Sequence, residues 1–404
     1  MSFADVPSRA TLKPKPFKAH VSDEELNDFK QLLKLSKIGP KTYENQVADV
    51  KDYRGFGLTR DWLVKAKQEW ETSYDWRKTE DRINKQPNFT VRFDDDGFTY
   101  DLHFMALFSE KADAVPLLVS HGWPGSFLEF LSVFEVLSEK YTPDTLPFHV
   151  VAPSLPGYGY SNGPSIDKDF TVEGIARVSN TLMCGLGFED GYVAQGGDVG
   201  SFSCRVMGVN HKECKAVHLN MCFGMDKSKE FPPDTLSPEE LKGLGRAQNF
   251  GELGNAYARE HGTRPATIGL VLSASPISLL AWIGEKFLQW SDQDPPTAEI
   301  LDSVTLYWFT ESFPRSIYPY RQFIGAAPTV FHPEPQWHLK VPLGVSWNPA
   351  ELAPMPKSWI ASTCDDLAWF RMHQDGGHFA AMEQPRKFVE DMEDFVKEVW
   401  PKAK

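Results

Sequence analysis

Cysteine is scarce in this chain: there are 5 in 404 residues, at positions 184, 204, 214, 222 and 364. The number is odd and no C-x-x-C pair occurs, so neither a disulfide framework nor a zinc site is suggested. All five lie in apolar or strand-like segments, so buried thiols in a reducing compartment are expected. Positive charge is also short. With 42 basic against 55 acidic residues the formal net charge is −13, which argues against a basic nucleic-acid-binding face. No apolar run reaches the roughly 18 residues that a membrane span needs. Met1–Arg9 has no apolar core of a secretory signal, so a soluble cytoplasmic protein is expected, and the sequon at Asn88 reads as chance. No internal repeat or low-complexity tract is visible. What remains is a globular chain, 41% hydrophobic, large enough for one core with an insertion or for two domains.

One stretch organises it: Gly191-Tyr-Val-Ala-Gln-Gly-Gly-Asp-Val-Gly-Ser-Phe202. Tyr192–Gln195 reads as a buried strand and Ser201–Met207 as a helix start. Gly196 and Gly200 frame Asp198, as small residues must where a strand turns at once into a helix. The pattern is that of a nucleophile elbow, with a carboxylate where G-x-S-x-G carries a hydroxyl. A carboxylate attacks carbon to form an ester, which suits alkyl transfer. Read alone, Asp198 is more commonly a cap for the following helix; the two-glycine frame and the partners below favour the nucleophile. Gly159-Tyr-Ser-Asn-Gly163 matches G-x-S-x-G literally, but prolines at 153, 156 and 164 deny it a strand before and a helix after, so Ser161 is expected in a loop.

Around the elbow, strands and helices alternate. Ser22-Asp-Glu-Glu25 is a capping box ahead of a helix, and Leu58–Trp76 reads as one amphipathic helix. Phe89–Phe93 and Phe98–Phe108 form a hairpin across an Asp-Gly turn. Val115–Ser120, Phe148–Ala152, Tyr192–Gln195 and Ala216–Met221 are apolar strands separated by helical patterns, the signature of βαβ units and a parallel sheet. Residues 226–325 turn helical, with Ser237, Ser275 and Thr297 as expected caps. Strands resume at Val341–Trp347 and Leu367–Met372, and a helix from Pro385 to Val399 closes the chain. The expected division is an N-terminal extension (1–88), a first core part (89–225), a helical cap (226–325) and a second core part (326–404).

A nucleophile needs a base, and the base an orienting acid. In this kind of sheet they follow in the order nucleophile, acid, base. His378, in Asp375-Gly-Gly-His-Phe379, stands after the last strand and is the expected base, with His373 as runner-up. Glu351 follows the strand ending at Trp347 and is the chosen acid; Asp226 is the competitor. The loop His121-Gly-Trp-Pro-Gly125 can aim the Trp123 amide at the nucleophile, and the Val199 amide comes from the elbow, together an oxyanion hole.

These motifs resemble the epoxide hydrolases of the α/β-hydrolase superfamily, in the microsomal-type branch with an N-terminal extension. The resemblance spans nearly the whole chain. It rests on Trp70, Tyr74-Asp-Trp-Arg77, Ile83-Asn84, Pro87 and Phe89 in the extension. In the core it rests on His121-Gly-Trp-Pro124, Leu155–Ser161, Gly196–Gly200 and Gly376–Phe379. It implies an α/β-hydrolase fold, an enzyme without cofactor or metal, and an apolar epoxide and water as substrates. It also implies two cap tyrosines that polarise the epoxide oxygen: Tyr257 and Tyr320, with Tyr318 the alternative to the second. Where relatives often carry Asp, this chain has Glu351. Aromatic and apolar cap residues (Leu279, Leu280, Trp282, Phe287, Tyr307, Trp308, Phe309) are expected mostly in the core, with some lining the substrate pocket. The extension is expected either to brace the cap or to supply a homodimer contact. Haloalkane dehalogenation and non-catalytic ligand reception are the rival readings.

Overall fold

The computed structural model describes residues 2–224, 226–324 and 329–403. Nine strands form one sheet: β1 (Lys15–Pro16), β2 (Asn88–Asp95), β3 (Phe98–Leu107), β4 (Val115–Ser120), β5 (Phe148–Pro153), β6 (Tyr192–Gly196), β7 (Cys214–Leu219), β8 (Leu343–Trp347) and β9 (Trp369–Met372). Their order is β1-β2-β3-β5-β4-β6-β7-β8-β9. β1, β2 and β3 pair antiparallel, and β3 joins β5 antiparallel. From β5 through β4 to β9 every pairing is parallel. The β2–β3 turn holds Asp96 and Gly97 at φ 50° and 76°, the two positive values that a two-residue type I′ turn needs. All six residues of β4 are buried, as expected of a parallel strand covered on both faces.

Helices cover both faces. One face packs against the helices Leu131–Lys140 and Pro385–Ala403, and the other carries Val172–Met183 and Asp198–Asn210. Between β7 and β8 the described chain is helical, from Pro238 to Phe323. The expected boundaries at 225 and at 325–326 lie outside the described residues. No single described helix is long and apolar enough to cross a membrane. Pro265–Ser273 and Pro276–Trp290 reach that length only as a pair bent by 118°.

Some local expectations needed correction. Leu58–Trp76 is not one helix. It runs Arg60–Thr72, and Asp75 then accepts from the Arg77 amide and caps a new helix, Trp76–Asn84. Thr297 is the first helical residue after Pro296 and provides no side-chain cap, whereas Ser22 and Ser237 form complete capping boxes. Asn88 is 4% exposed, and its amide donates to the Ile83 and Gln86 carbonyls, so its sequon is committed to the fold. The five cysteines form no disulfide.

The N-terminal segment packs onto the inserted helices. Trp70 Nε1 donates to Thr305 Oγ1 at 3.1 Å, Tyr74 to Asp302 at 2.8 Å, and Gln289 to the Val50 carbonyl at 2.9 Å. Phe29 sits against Trp70, Trp308 and Phe309. Behind the sheet, Arg205 is 1% exposed. Its guanidinium donates to the carbonyls of Trp337 and Thr363 at 3.1 Å, and to Thr363 Oγ1 at 3.1 Å. It thus ties the helix after β6 to the segment leading into β8 and to the connection between β8 and β9. Removing it strands several buried acceptors, each worth roughly 1–3 kcal/mol. Arg205→Leu is expected to lower the unfolding free energy by at least about 3 kcal/mol, read from the urea midpoint; a midpoint equal to wild type would show that the strut is dispensable.

Candidate active site

The site forms where β4 and β6 end side by side. β6 stops at Gly196, Gly197 bridges, and the helix begins at Asp198 itself. Asp198 takes φ 47°, the left-handed region that Asp tolerates better than most residues. This turns the side chain out above the strand ends. The turn is tight: a methyl group on Gly200 would collide with the Ser120 carbonyl oxygen, and one on Gly122 with the Asp198 carboxylate. Both glycines are therefore required by close approach rather than by loop flexibility.

That approach brings the loop after β4 onto the nucleophile position. The Trp123 amide donates to Asp198 Oδ1 at 2.7 Å. Val199, the next residue, is buried, and its amide lies beside Gly122 in the first helical turn, where amides lack intrahelical acceptors. On the other side His378 Nε2 stands 3.4 Å from Asp198 Oδ2. His378 Nδ1 meets Glu351 Oε1 at 2.5 Å. The pair comes from two loops joined by a bridge between Ala350 and Gly377. Gly376 at φ 102° supplies the left-handed turn before the histidine. The His378 amide donates to the Trp290 carbonyl at 3.0 Å, and the Trp290 ring stands edge-on to the imidazole.

The alternatives fall elsewhere. His373 bonds Asp391 at 2.7 Å in a separate polar knot with Ser346, His218 and Arg371. Asp226 is exposed and accepts from the Ser228 amide. Ser161 is a loop residue that bonds the Ser154 carbonyl and the His103 amide. Tyr318 donates to the Pro156 carbonyl at 3.0 Å and points away.

Tyr257 and Tyr320 instead line, with Asp198, a cavity of about 250 Å³. Tyr257 stacks on Trp123, and the two phenol rings lie 5.6 Å apart, nearly perpendicular. The other walls are apolar: Phe202, Met221, Phe223, Phe250, Phe323 and Met355 among them. None of the seven cap residues expected as pocket candidates lines this cavity. Their helices turn those side chains to the core and to the N-terminal segment, as with Trp308 and Phe309 against Phe29. Sequence reading also missed His261. It is fully buried and edge-on to Trp123, Tyr257 and Tyr320, and it accepts from Trp282 Nε1 at 3.0 Å. A histidine inside a helical pattern carries no signal of this role.

Electrostatics follow from burial. Desolvation pushes both tyrosines well above the ordinary phenol range, and the charge of Asp198 pushes them further, so they stand protonated as donors. Desolvation alone would disfavour a charged His378. Glu351 and then Asp198 outweigh it and bring the imidazole up to about 10.

Comparison with known proteins identifies the family. The family described as Epoxide hydrolase N terminus matches residues 14–130, and the alpha/beta hydrolase fold family matches residues 115–267. The structure of Aspergillus niger epoxide hydrolase superposes with a TM-score of 0.90 at 47% identity, covering 99% of this chain and 100% of that one. An enantioselective mutant of the Aspergillus niger enzyme, generated by directed evolution, gives 0.91 at 49%, with 99% and 100% covered. Epoxide hydrolase 1 of Oryctolagus cuniculus is 29% identical over 95% of this chain and 88% of its own. The chain belongs to the epoxide hydrolase family. It is accordingly an enzyme that hydrolyses epoxides, on an α/β-hydrolase fold. The dehalogenase and receptor readings fall away.

The His378 charge also links stability to pH. A raised folded pKa means that the contribution is complete below the ordinary histidine value of about 6.5. It is lost as pH rises through about 10. His378→Gln leaves two carboxylates uncompensated and is expected to cost roughly 3 kcal/mol at pH 7. The difference from wild type should shrink between pH 7 and pH 10 in urea titrations; a difference that grows would refute the assignment of the charge.

Proposed function

We propose that epoxide hydrolysis proceeds through a covalent hydroxyalkyl ester on Asp198. The single observation that carries this reading is the asymmetry of the carboxylate. Oδ1 is held by the Trp123 amide at 2.7 Å, while Oδ2 accepts no amide among the described residues and stands beside His378 Nε2 at 3.4 Å. Oδ2 is thus the nucleophilic oxygen and Oδ1 the site where charge returns in the second step.

In the first step Oδ2 attacks an epoxide carbon, and the C–O bond of the strained ring breaks. Tyr257 and Tyr320, facing Asp198 across the apolar cavity, donate hydrogen bonds to the leaving oxygen, which takes up the negative charge. Forming the ester removes the carboxylate charge. That charge had helped to raise both phenols and the imidazole. Its loss makes the phenols better acids as one of them protonates the alkoxide, and it lowers the pKa of His378, whose proton then restores that phenol. The imidazole thereby becomes a competent base once there is an ester to hydrolyse, and Glu351 holds it and stabilises the imidazolium that forms. Water then adds to the ester carbonyl carbon, the amides of Trp123 and Val199 carry the oxyanion, and collapse releases a vicinal diol.

The apolar lining suits alkyl and aryl epoxides. One turnover in labelled water is expected to place the label in the Asp198 carboxylate; label in the first diol would sink the ester pathway. His378→Gln is expected to form the ester and then stall, with a mass adduct on the Asp198 peptide. Tyr257→Phe and Tyr320→Phe should each slow ester formation by roughly 10²-fold, measured by single-turnover fluorescence.

A further inference from the structure

Asp198 is reached from two sides by two different cavities. The larger, about 250 Å³, carries Tyr257, Tyr320 and the apolar walls. The smaller, about 20 Å³, lies behind the nucleophile, and its lining includes Ser120, Glu129, Gln195, Asn220, Asp198 and His378. His378 lines the smaller cavity and does not line the larger; for the two tyrosines the reverse holds. The base therefore faces one chamber and the epoxide-polarising groups face the other.

The smaller chamber has the size and chemistry of a water site. A single water needs about 10–15 Å³ and two to four polar partners. Ser120 and Gln195 are 2% and 1% exposed, and Ser120 Oγ and Gln195 Oε1 have no hydrogen-bond partner among the described residues. A buried polar atom left unsatisfied is costly, so both point to a partner in the chamber. The orientation of Gln195 is set by its amide nitrogen, which donates to Asn220 Oδ1 at 2.9 Å. Asn220 in turn donates to the His378 carbonyl at 3.4 Å. The free oxygen of Gln195 is thus an acceptor. Glu129 completes the wall; burial of its carboxyl pushes it up to about 8, which keeps it protonated near neutral pH and able to donate.

We propose that this chamber holds the water that hydrolyses the Asp198 ester, with Ser120, Gln195 and Glu129 as its positioning partners. The inference rests on the ester pathway proposed above. In that step the water oxygen forms a bond to Asp198 Cγ, the carbonyl π pair moves onto Oδ1, and the water proton passes to His378 Nε2. Collapse of the tetrahedral carbon breaks the bond to the alkyl oxygen, that oxygen takes the proton from His378 to complete the diol, and the Asp198 carboxylic acid left behind passes its proton to His378 to restore the resting pair. Water and epoxide then never compete for one space, because each arrives through its own chamber.

Single-turnover fluorescence with an aryl epoxide separates ester formation from ester decay. Ser120→Ala and Glu129→Leu are each expected to slow decay by about 10-fold or more. Formation should stay within about threefold, and intact-mass spectra should show the adduct building up. Equal slowing of both steps, or no slowing of decay, would overturn the water site. An His378→Gln protein that never forms an adduct would instead overturn the ester pathway itself. Should either variant fail to fold, the wild-type protein still decides. An atomic-resolution crystal structure is expected to show a water bonded to Ser120 Oγ and Gln195 Oε1, and a chamber without it overturns the assignment.

Discussion

Two carboxylates share one imidazole inside a site that is nearly closed to solvent. Asp198, His378 and Glu351 form a row with gaps of 3.4 and 2.5 Å. A buried pair of like charges is tolerable only with a cation between them. That requirement explains the raised imidazole, which stays protonated while Asp198 is charged. In the ester pathway proposed above, alkylating Asp198 would remove one of the two anions, and the same electrostatics that hold the resting site together would release His378 as a base.

Everything near the row serves its spacing. The elbow holds Asp198 at positive φ, and Gly122 and Gly200 let two strand ends close to backbone contact. The Trp290 carbonyl and the bridge between Ala350 and Gly377 fix the histidine loop. Trp123 acts twice: its amide holds Oδ1, and its ring is the platform for Tyr257. The inserted helices Pro276–Trp290 and Thr297–Phe309 are braced in turn by the N-terminal segment through Trp70, Tyr74 and Val50. Tyr53 of the same segment packs on Phe250, one wall of the cavity.

Legibility in the sequence followed periodicity and local rules. The parallel strands, the Asp-Gly hairpin and the capping boxes at Ser22 and Ser237 could be read because each is decided by a few neighbouring residues. The break between Thr72 and Trp76 was missed because the apolar spacing continues through it, while the Asp75 cap ends it. Tyr318 and Tyr320 could not be told apart along the chain. They lie two residues apart in a short irregular stretch, and only packing sends one phenol to the Pro156 carbonyl and the other over Asp198.

By itself the sequence determined the elbow, the order of Asp198, Glu351 and His378, and the alternation that makes a parallel sheet. All three depend on residue type and spacing along one chain. Tertiary structure alone decided which oxygen of Asp198 is free, which aromatic side chains line the cavity, and that two chambers meet at one carboxylate. These are facts about the space between segments far apart in sequence, and no local pattern encodes the volume that distant side chains leave when they pack.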